Sequence, residues 1–299
     1  MVLPRFEVIV PSSLREALDV LEKYGREARL LAGGTELLVL LRDRRIPVPK
    51  YIVSLRKLRK ELSYVKEENG WIRIGALTSI WDLNQSILGK DLRYAGFTDV
   101  FHKFGTISIR FMATIGGNIA SSTPYSDYLT LLLVYDARVR LISTSGERIV
   151  ALEDFVLDKR ELDIKPGELI AEILFKKPGS SCSSSFIKFD RRELMIAGVV
   201  TSAAFMCLDE NNVITDVKIS FDMVKAKHIP RRARRTEAFL LNREFSEEAL
   251  NEAIEKVLPS EMERRSDWWT TAEYRLEMSK VVLKRNLLRI YERLKRRTP

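Results

Sequence analysis

An α+β fold built in successive units is predicted by three observations. The first 55 residues alternate β-rich and helical segments in the order β-α-β-α-β. Two turn signals, Asn69-Gly70 and Ser145-Gly146, sit between apolar stretches as hairpin turns do. Beyond a serine-rich run at 179–185, three strand-like segments are followed by helical periodicity to the end of the chain.

The elements follow in order. Residues 6–10 are apolar and β-rich, and Pro11 ends them. Ser13 and Glu16 form a capping box, Leu14, Ala17, Leu18 and Leu21 make one helical stripe, and Gly25 stops it. A second strand is expected at 29–32, a helix at 35–42, and a third strand at 51–55, which favours a small parallel sheet. A second unit over 56–178 holds hairpins at 63–74 and 138–150, with helices at 79–85 and 92–103. The run Gly179-Ser180-Ser181-Cys182-Ser183-Ser184-Ser185 is expected to be a linker. Strands at 186–189, 199–208 and 213–221, turning at Asn211-Asn212, predict an antiparallel sheet. Ser246 is placed to cap a helix over 247–257. Thr270 and Glu273 form a capping box for the last helix, whose Leu276, Leu283, Leu287, Ile290 and Leu294 share a face.

Composition excludes several functions. The 299 residues are 45% hydrophobic and 30% charged, as in a globular protein rather than a disordered one. No apolar run approaches the ~18 residues of a membrane span, and the first residues lack signal-peptide character, so a cytoplasmic protein is expected. Cys182 and Cys207 are the sole cysteines, too few for an iron–sulfur or zinc site. Cys207 is expected to be a buried strand residue acting as a small hydrophobe. Most of the net charge of +9 lies beyond residue 224, densest at 231–235 and 293–297. Without interleaved aromatics or a binding motif, a solvated face or subunit contact is expected there rather than nucleic acid.

The chemistry-bearing feature is a pair of Gly-Gly dipeptides: Gly33-Gly34 in Leu31-Ala32-Gly33-Gly34-Thr35-Glu36-Leu37, and Gly116-Gly117 in Thr114-Ile115-Gly116-Gly117-Asn118. Each follows an apolar run. A glycine loop lets backbone N–H groups approach an anion, and a phosphate gains further at a helix start. One such loop is ordinarily a tight turn; two together suit a diphosphate held from both sides. Thr35 and Thr114 can add hydroxyl donors, and Asn118 can brace its loop or donate. Glu36 is an awkward neighbour for a diphosphate and is expected at the helix start or a sugar hydroxyl.

The segment 109–120, with Pro124, Asp127 and the leucine run 131–137, resembles the second flavin loop of the molybdenum hydroxylases, the xanthine dehydrogenase, carbon monoxide dehydrogenase and aldehyde oxidoreductase family. Residues 32–37 resemble that family's first flavin loop, 167–173 and 186–188 its flavin-lining strands, and 265–275 the start of its C-terminal helix. The resemblance implies a two-subdomain FAD-binding domain of the p-cresol methylhydroxylase/vanillyl-alcohol oxidase type over 1–178, divided near 55. A C-terminal α+β domain of the CO dehydrogenase flavoprotein type follows over 186–299. It implies FAD held by residues 31–37 and 114–118, with Asp127 accepting from cofactor hydroxyls, Lys188 a positive charge near the flavin ring, Ile170 an apolar wall and Phe104 a ring contact. Taken alone, Asp127 reads as a helix N-cap, Lys188 as a surface lysine and Phe104 as core. Between Lys188 and Ala197 the chain is one residue shorter than the family pattern, and Met195 stands where an acidic residue is common.

The family further implies a large molybdopterin-binding subunit and a small subunit with two [2Fe–2S] clusters. No catalytic residue or metal ligand is then expected in this chain, which passes electrons from FAD to an acceptor. A stand-alone FAD-dependent oxidase and a basic nucleic-acid-binding or scaffold protein are the alternatives. Neither finds a catalytic base, a flavin-attachment histidine (the chain has His102 and His228) or a binding motif in the sequence.

Overall fold

The computed structural model describes residues 2–192, 197–222 and 229–296. Met195, with the rest of residues 193–196 in the shortened stretch, and His228 lie outside the described residues.

Strands β1 (Glu7–Ile9), β2 (Ala28–Leu31) and β3 (Tyr51–Ser54) form a parallel sheet in the order β1-β3-β2. The helix Leu14–Tyr24 begins where Ser13 Oγ accepts from Glu16 N, and it ends at Gly25, whose φ of 47° few side chains tolerate. The Glu16 carboxylate binds Ser12 N and Oγ instead of closing the box on Ser13. Ala17, Leu18 and Leu21 pack on Tyr51, Val53, Leu55 and Leu58 to make the first core.

Next come β4 (Val65–Glu68), β5 (Trp71–Gly75), β6 (Arg138–Ser143), β7 (Gly146–Ala151), the short ribbon β8 (Val156–Asp158) with β9 (Glu161–Leu162), and β10 (Leu169–Lys176). The antiparallel sheet runs β4-β5-β10-β6-β7, so the last strand inserts between two hairpins. The helices Ile80–Gln85, Ala95–Lys103, Ile107–Met112, Ile115–Ser121 and Asp127–Leu133 pack against it around a second core that includes Phe97, Tyr128, Tyr135 and Phe175.

The third sheet is β11 (Cys182–Phe189), β12 (Val200–Leu208), β13 (Ile214–Phe221) and β14 (Arg231–Arg232), in that order and antiparallel. Every residue of β12 is buried. Ala203, Phe205 and Cys207 belong to the second core, while Val200, Ala204, Met206 and Leu208 belong to a third, built with Leu250, Ile254, Leu283, Leu287 and Ile290. The period-two alternation of a strand thus joins two cores.

Four sequence expectations are corrected here. The expected linker 179–185 is strand from Cys182 onward, and Ser183, Ser184 and Ser185 are fully buried. Their small side chains admit cross-unit hydrogen bonds. Ser183 Oγ donates to Leu92 O at 2.6 Å, and Ser184 Oγ accepts from Gly96 N and from Tyr135 Oη at 2.9 and 2.6 Å. Second, Cys207 is the buried strand residue expected, but it faces Cys182 across β11 and β12 and is joined to it in a disulfide instead of standing alone. Third, the basic cluster 231–235 is largely consumed within the chain. Arg231 donates to the carbonyls of Glu153 and Val156, Arg232 pairs with Glu237 and Asp136, and Arg234 pairs with Glu153. Arg293 likewise pairs with Asp99 at 2.7 Å and donates to Ser184 O at 2.6 Å, pinning the last helix to the second unit. Fourth, that helix, Ala272–Lys295, is capped by Thr271 accepting from Tyr274 N, one residue later than expected.

Candidate functional site

The two glycine loops meet. A Cβ on Gly33 would lie 2.0 Å from the Met112 carbonyl oxygen, so only glycine lets the first loop rest on the segment that enters the second. Gly34 follows with φ of 72° and turns the chain into the helix Leu37–Arg42. Residues 31–37 are all half-buried. Among the described residues, the backbone N–H groups of Gly33, Gly34, Thr35, Glu36 and Leu37 have no hydrogen-bond acceptor. A half-buried row of donors without a protein acceptor is open to an anion, and an oxyanion supplies several acceptors. The first loop fits a phosphate-bearing cofactor.

The second loop differs. Thr114 is the N-cap of Ile115–Ser121, and its Oγ accepts from Gly117 N at 3.1 Å. Ile115 N donates to Thr78 O, Gly116 N to Ala76 O and Asn118 N to Thr114 O. The backbone donors expected to cradle an anion here are therefore engaged, because the loop is laid against residues 76–79. A Cβ on Gly116 would strike Ala76 at 2.7 Å, so that glycine serves packing. Gly117 is exposed. Asn118 is half-buried, and its Oδ1 is enclosed without a partner among the described residues.

Asp127 is not the helix cap. Ser126 occupies that position, and Asp127 is the first residue of its helix, 3% exposed. Its Oδ2 accepts from Lys188 Nζ at 3.1 Å, which joins β11 to the segment behind the second loop. Burial pushes the Asp127 carboxyl up from its ordinary value, and the Lys188 charge opposes that rise. Lys188 is thus an enclosed partner and not a surface lysine. Phe104 is half-buried with its ring 5.7 Å from that of Tyr128, and Ile170 is half-buried against the second core.

Sequence reasoning missed one group altogether. The β8–β9 ribbon turns at Lys159 and Arg160, and Arg160 Nη2 lies 3.3 Å from Glu36 Oε1. The two residues are 124 positions apart, so no local pattern announces the pair. Glu36 makes this contact rather than a capping bond at its own helix start.

Comparisons with known proteins place the chain in a family. Residues 4–175 match the family model described as the FAD binding domain in molybdopterin dehydrogenase. Residues 184–290 match the CO dehydrogenase flavoprotein C-terminal domain. The carbon monoxide dehydrogenase medium chain of Afipia carboxidovorans is 29% identical over 97% of this chain and 98% of its own length. The glyceraldehyde dehydrogenase medium chain of Sulfolobus acidocaldarius is 31% identical over 93% and 96%. In solved structures, a chain of the Hydrogenophaga pseudoflava carbon monoxide dehydrogenase superposes with a TM-score of 0.90 at 27% identity, covering 98% of this chain and 99% of that one. Among the described residues no helix is long and apolar enough to cross a membrane. With both domain models matched in order along nearly its whole length, the chain belongs to the FAD-binding medium subunits of the molybdenum hydroxylases, the electron-transfer flavoproteins of molybdenum-containing dehydrogenases.

Proposed function

We propose that this subunit holds FAD between the two glycine loops and works in a complex with a large molybdopterin-binding subunit and a small iron–sulfur subunit in the cytoplasm. Electrons from the partner's clusters would leave through the flavin to an external acceptor. The observation that carries the reading is the seating of Gly33 on the Met112 carbonyl, which brings the unpaired donors of 33–37 beside the second loop.

When bound, FAD supplies the redox chemistry. This chain's part is to bind and orient it. The N–H groups of 33–37 donate to the diphosphate, with Thr35 Oγ as a further donor. The exposed face of Gly117 admits the cofactor closely, flanked by Thr114 and Asn118. Asp127 and Lys188, buried as a pair, set the charge of the wall behind the second loop, and Phe104 and Ile170 give that wall apolar surface. The FAD-binding domain then closes between Lys176 and Cys182, with the C-terminal domain beyond it.

The test has two arms. Purified protein supplemented with FAD should release FAD, and not FMN, on denaturation, because two loops suit a diphosphate. Anaerobically, the flavin should be bleached by a dehydrogenase substrate only when molybdenum and iron–sulfur subunits are present. No bound flavin would overturn the first arm, and bleaching by the isolated chain would favour the stand-alone oxidase.

A further inference from the structure

The β8–β9 ribbon contacts the first glycine loop and the far end of the helix that follows the second. At one end, Ser122, which follows the helix of the second loop and is fully buried, donates from Oγ to Asp158 O at 2.8 Å. Arg160 N in turn donates to Ser122 O at 2.8 Å. Arg160 holds a φ of 60°, a conformation that costs a residue with a Cβ about 1 kcal/mol or more. Its guanidinium extends to Glu36 of the first loop. A single turn is thus tied by its backbone to the C-terminal end of the helix that the second loop begins, and by its side chain to the first loop.

The pair contributes little to stability by itself. Both side chains are 39% exposed, and the contact is a single hydrogen bond. Exposed pairs of this kind are worth on the order of 0–1 kcal/mol. Its position is what matters. Glu36 is the one anionic side chain among residues 31–37, in the middle of the unpaired N–H row. A diphosphate placed there meets a carboxylate, and the repulsion falls with an opposite charge beside both. A guanidinium has five N–H donors, and this one uses a single one among the described residues. The others can take oxyanions in the same plane.

We propose that Arg160 is a positioning residue for the cofactor diphosphate: held against Glu36, it cancels that carboxylate's charge and offers its remaining donors to the phosphates. The inference rests on the FAD reading above and adds a residue from outside both glycine loops. Arg160 acts on the phosphates alone, so it discriminates FAD from riboflavin, which lacks them.

The experiment titrates flavin-depleted full-length protein with FAD and with riboflavin at several sodium chloride concentrations. Arg160→Gln should weaken FAD about 10-fold, the loss of one charge-assisted contact, while leaving riboflavin affinity unchanged. Its FAD affinity should also fall less steeply with salt than the parent's. Arg160→Lys should recover part of the loss, and Glu36→Gln should bind FAD at least as tightly as the parent. The melting temperature of each flavin-free variant should match the parent. Equal FAD affinity in Arg160→Gln, or equal losses for FAD and riboflavin with a lowered melting temperature, overturns the proposal. A parent protein that binds neither flavin would instead overturn the FAD reading itself.

Discussion

The two glycine loops share a dipeptide and little else. In the first, the N–H groups of residues 33–37 are without acceptors, and the loop is shaped by what it leans on: Gly33 on Met112, Gly34 by its φ of 72°. In the second, the N–H groups of 115–118 are all engaged with residues 76, 78 and 114. The first loop is an open set of donors. The second is a finished wall laid on residues 76–78, and the buried Asp127–Lys188 pair lies at the start of the next helix. A Gly-Gly motif therefore states that backbone passes close to something, and the hydrogen-bond partners decide whether that something is a ligand or the protein itself.

Beside the second loop's engaged backbone, the largest stability effect is expected at the buried pair in the next helix. Lys188→Met removes the partner of a carboxylate that is 3% exposed and should cost about 3–5 kcal/mol at neutral pH, read by urea unfolding. The sign of its pH dependence follows from Asp127. A carboxyl whose folded value is raised by burial favours the folded state below its unfolded value near 3.8, and that contribution is lost as pH rises through the folded value. The deficit of Lys188→Met should accordingly shrink as pH falls toward that range. A deficit independent of pH would remove Asp127 as its cause.

Gly33→Ala should come next. Its Cβ would overlap a backbone carbonyl that cannot rotate away, so the loops must part, at a cost of about 1–3 kcal/mol and with loss of FAD. A stable variant that keeps FAD would show the seating on Met112 to be loose. Thr114→Val is smaller. It deletes the acceptor for Gly117 N and should cost about 1 kcal/mol, as cap removals do. The freed N–H also makes the second loop more like the first, so FAD affinity should fall less than stability does.

Local signals were legible in the sequence and distant ones were not. Ser13, Gly25, the Asn69-Gly70 turn and the Ser246 cap act within a few residues, and each appears where its chemistry places it. The Cys182–Cys207 bridge depends on the register of β11 against β12, 25 residues apart, and Arg160 meets Glu36 only through tertiary packing. Ser183–Ser185 misled because serine is common in linkers, whereas here its hydroxyls accept and donate inside the core. Thr270 and Thr271 offer the same side chain to the same helix start, so the cap was readable to within one residue. The glycine loops announced the site, but their sequence alone could not tell donors that are free from donors already engaged.

The smallest effect on stability is expected at Gly117, and it separates the two roles most cleanly. Gly117 is exposed, and a Cβ there would meet a single atom, the capping Thr114 Oγ1, at 2.9 Å, which must give way slightly. Alanine within a helix also gains up to about 1 kcal/mol over glycine, which offsets that contact. Gly117→Ala should therefore leave the unfolding free energy of the flavin-free protein within about 0.5 kcal/mol of the parent, as surface substitutions generally do. FAD binding should nevertheless weaken under the proposed placement of the cofactor, because the methyl would occupy the face across which it approaches. Unchanged FAD affinity would mean that the second loop presents no contact surface at Gly117. The diphosphate would then belong to the first loop and Arg160 alone.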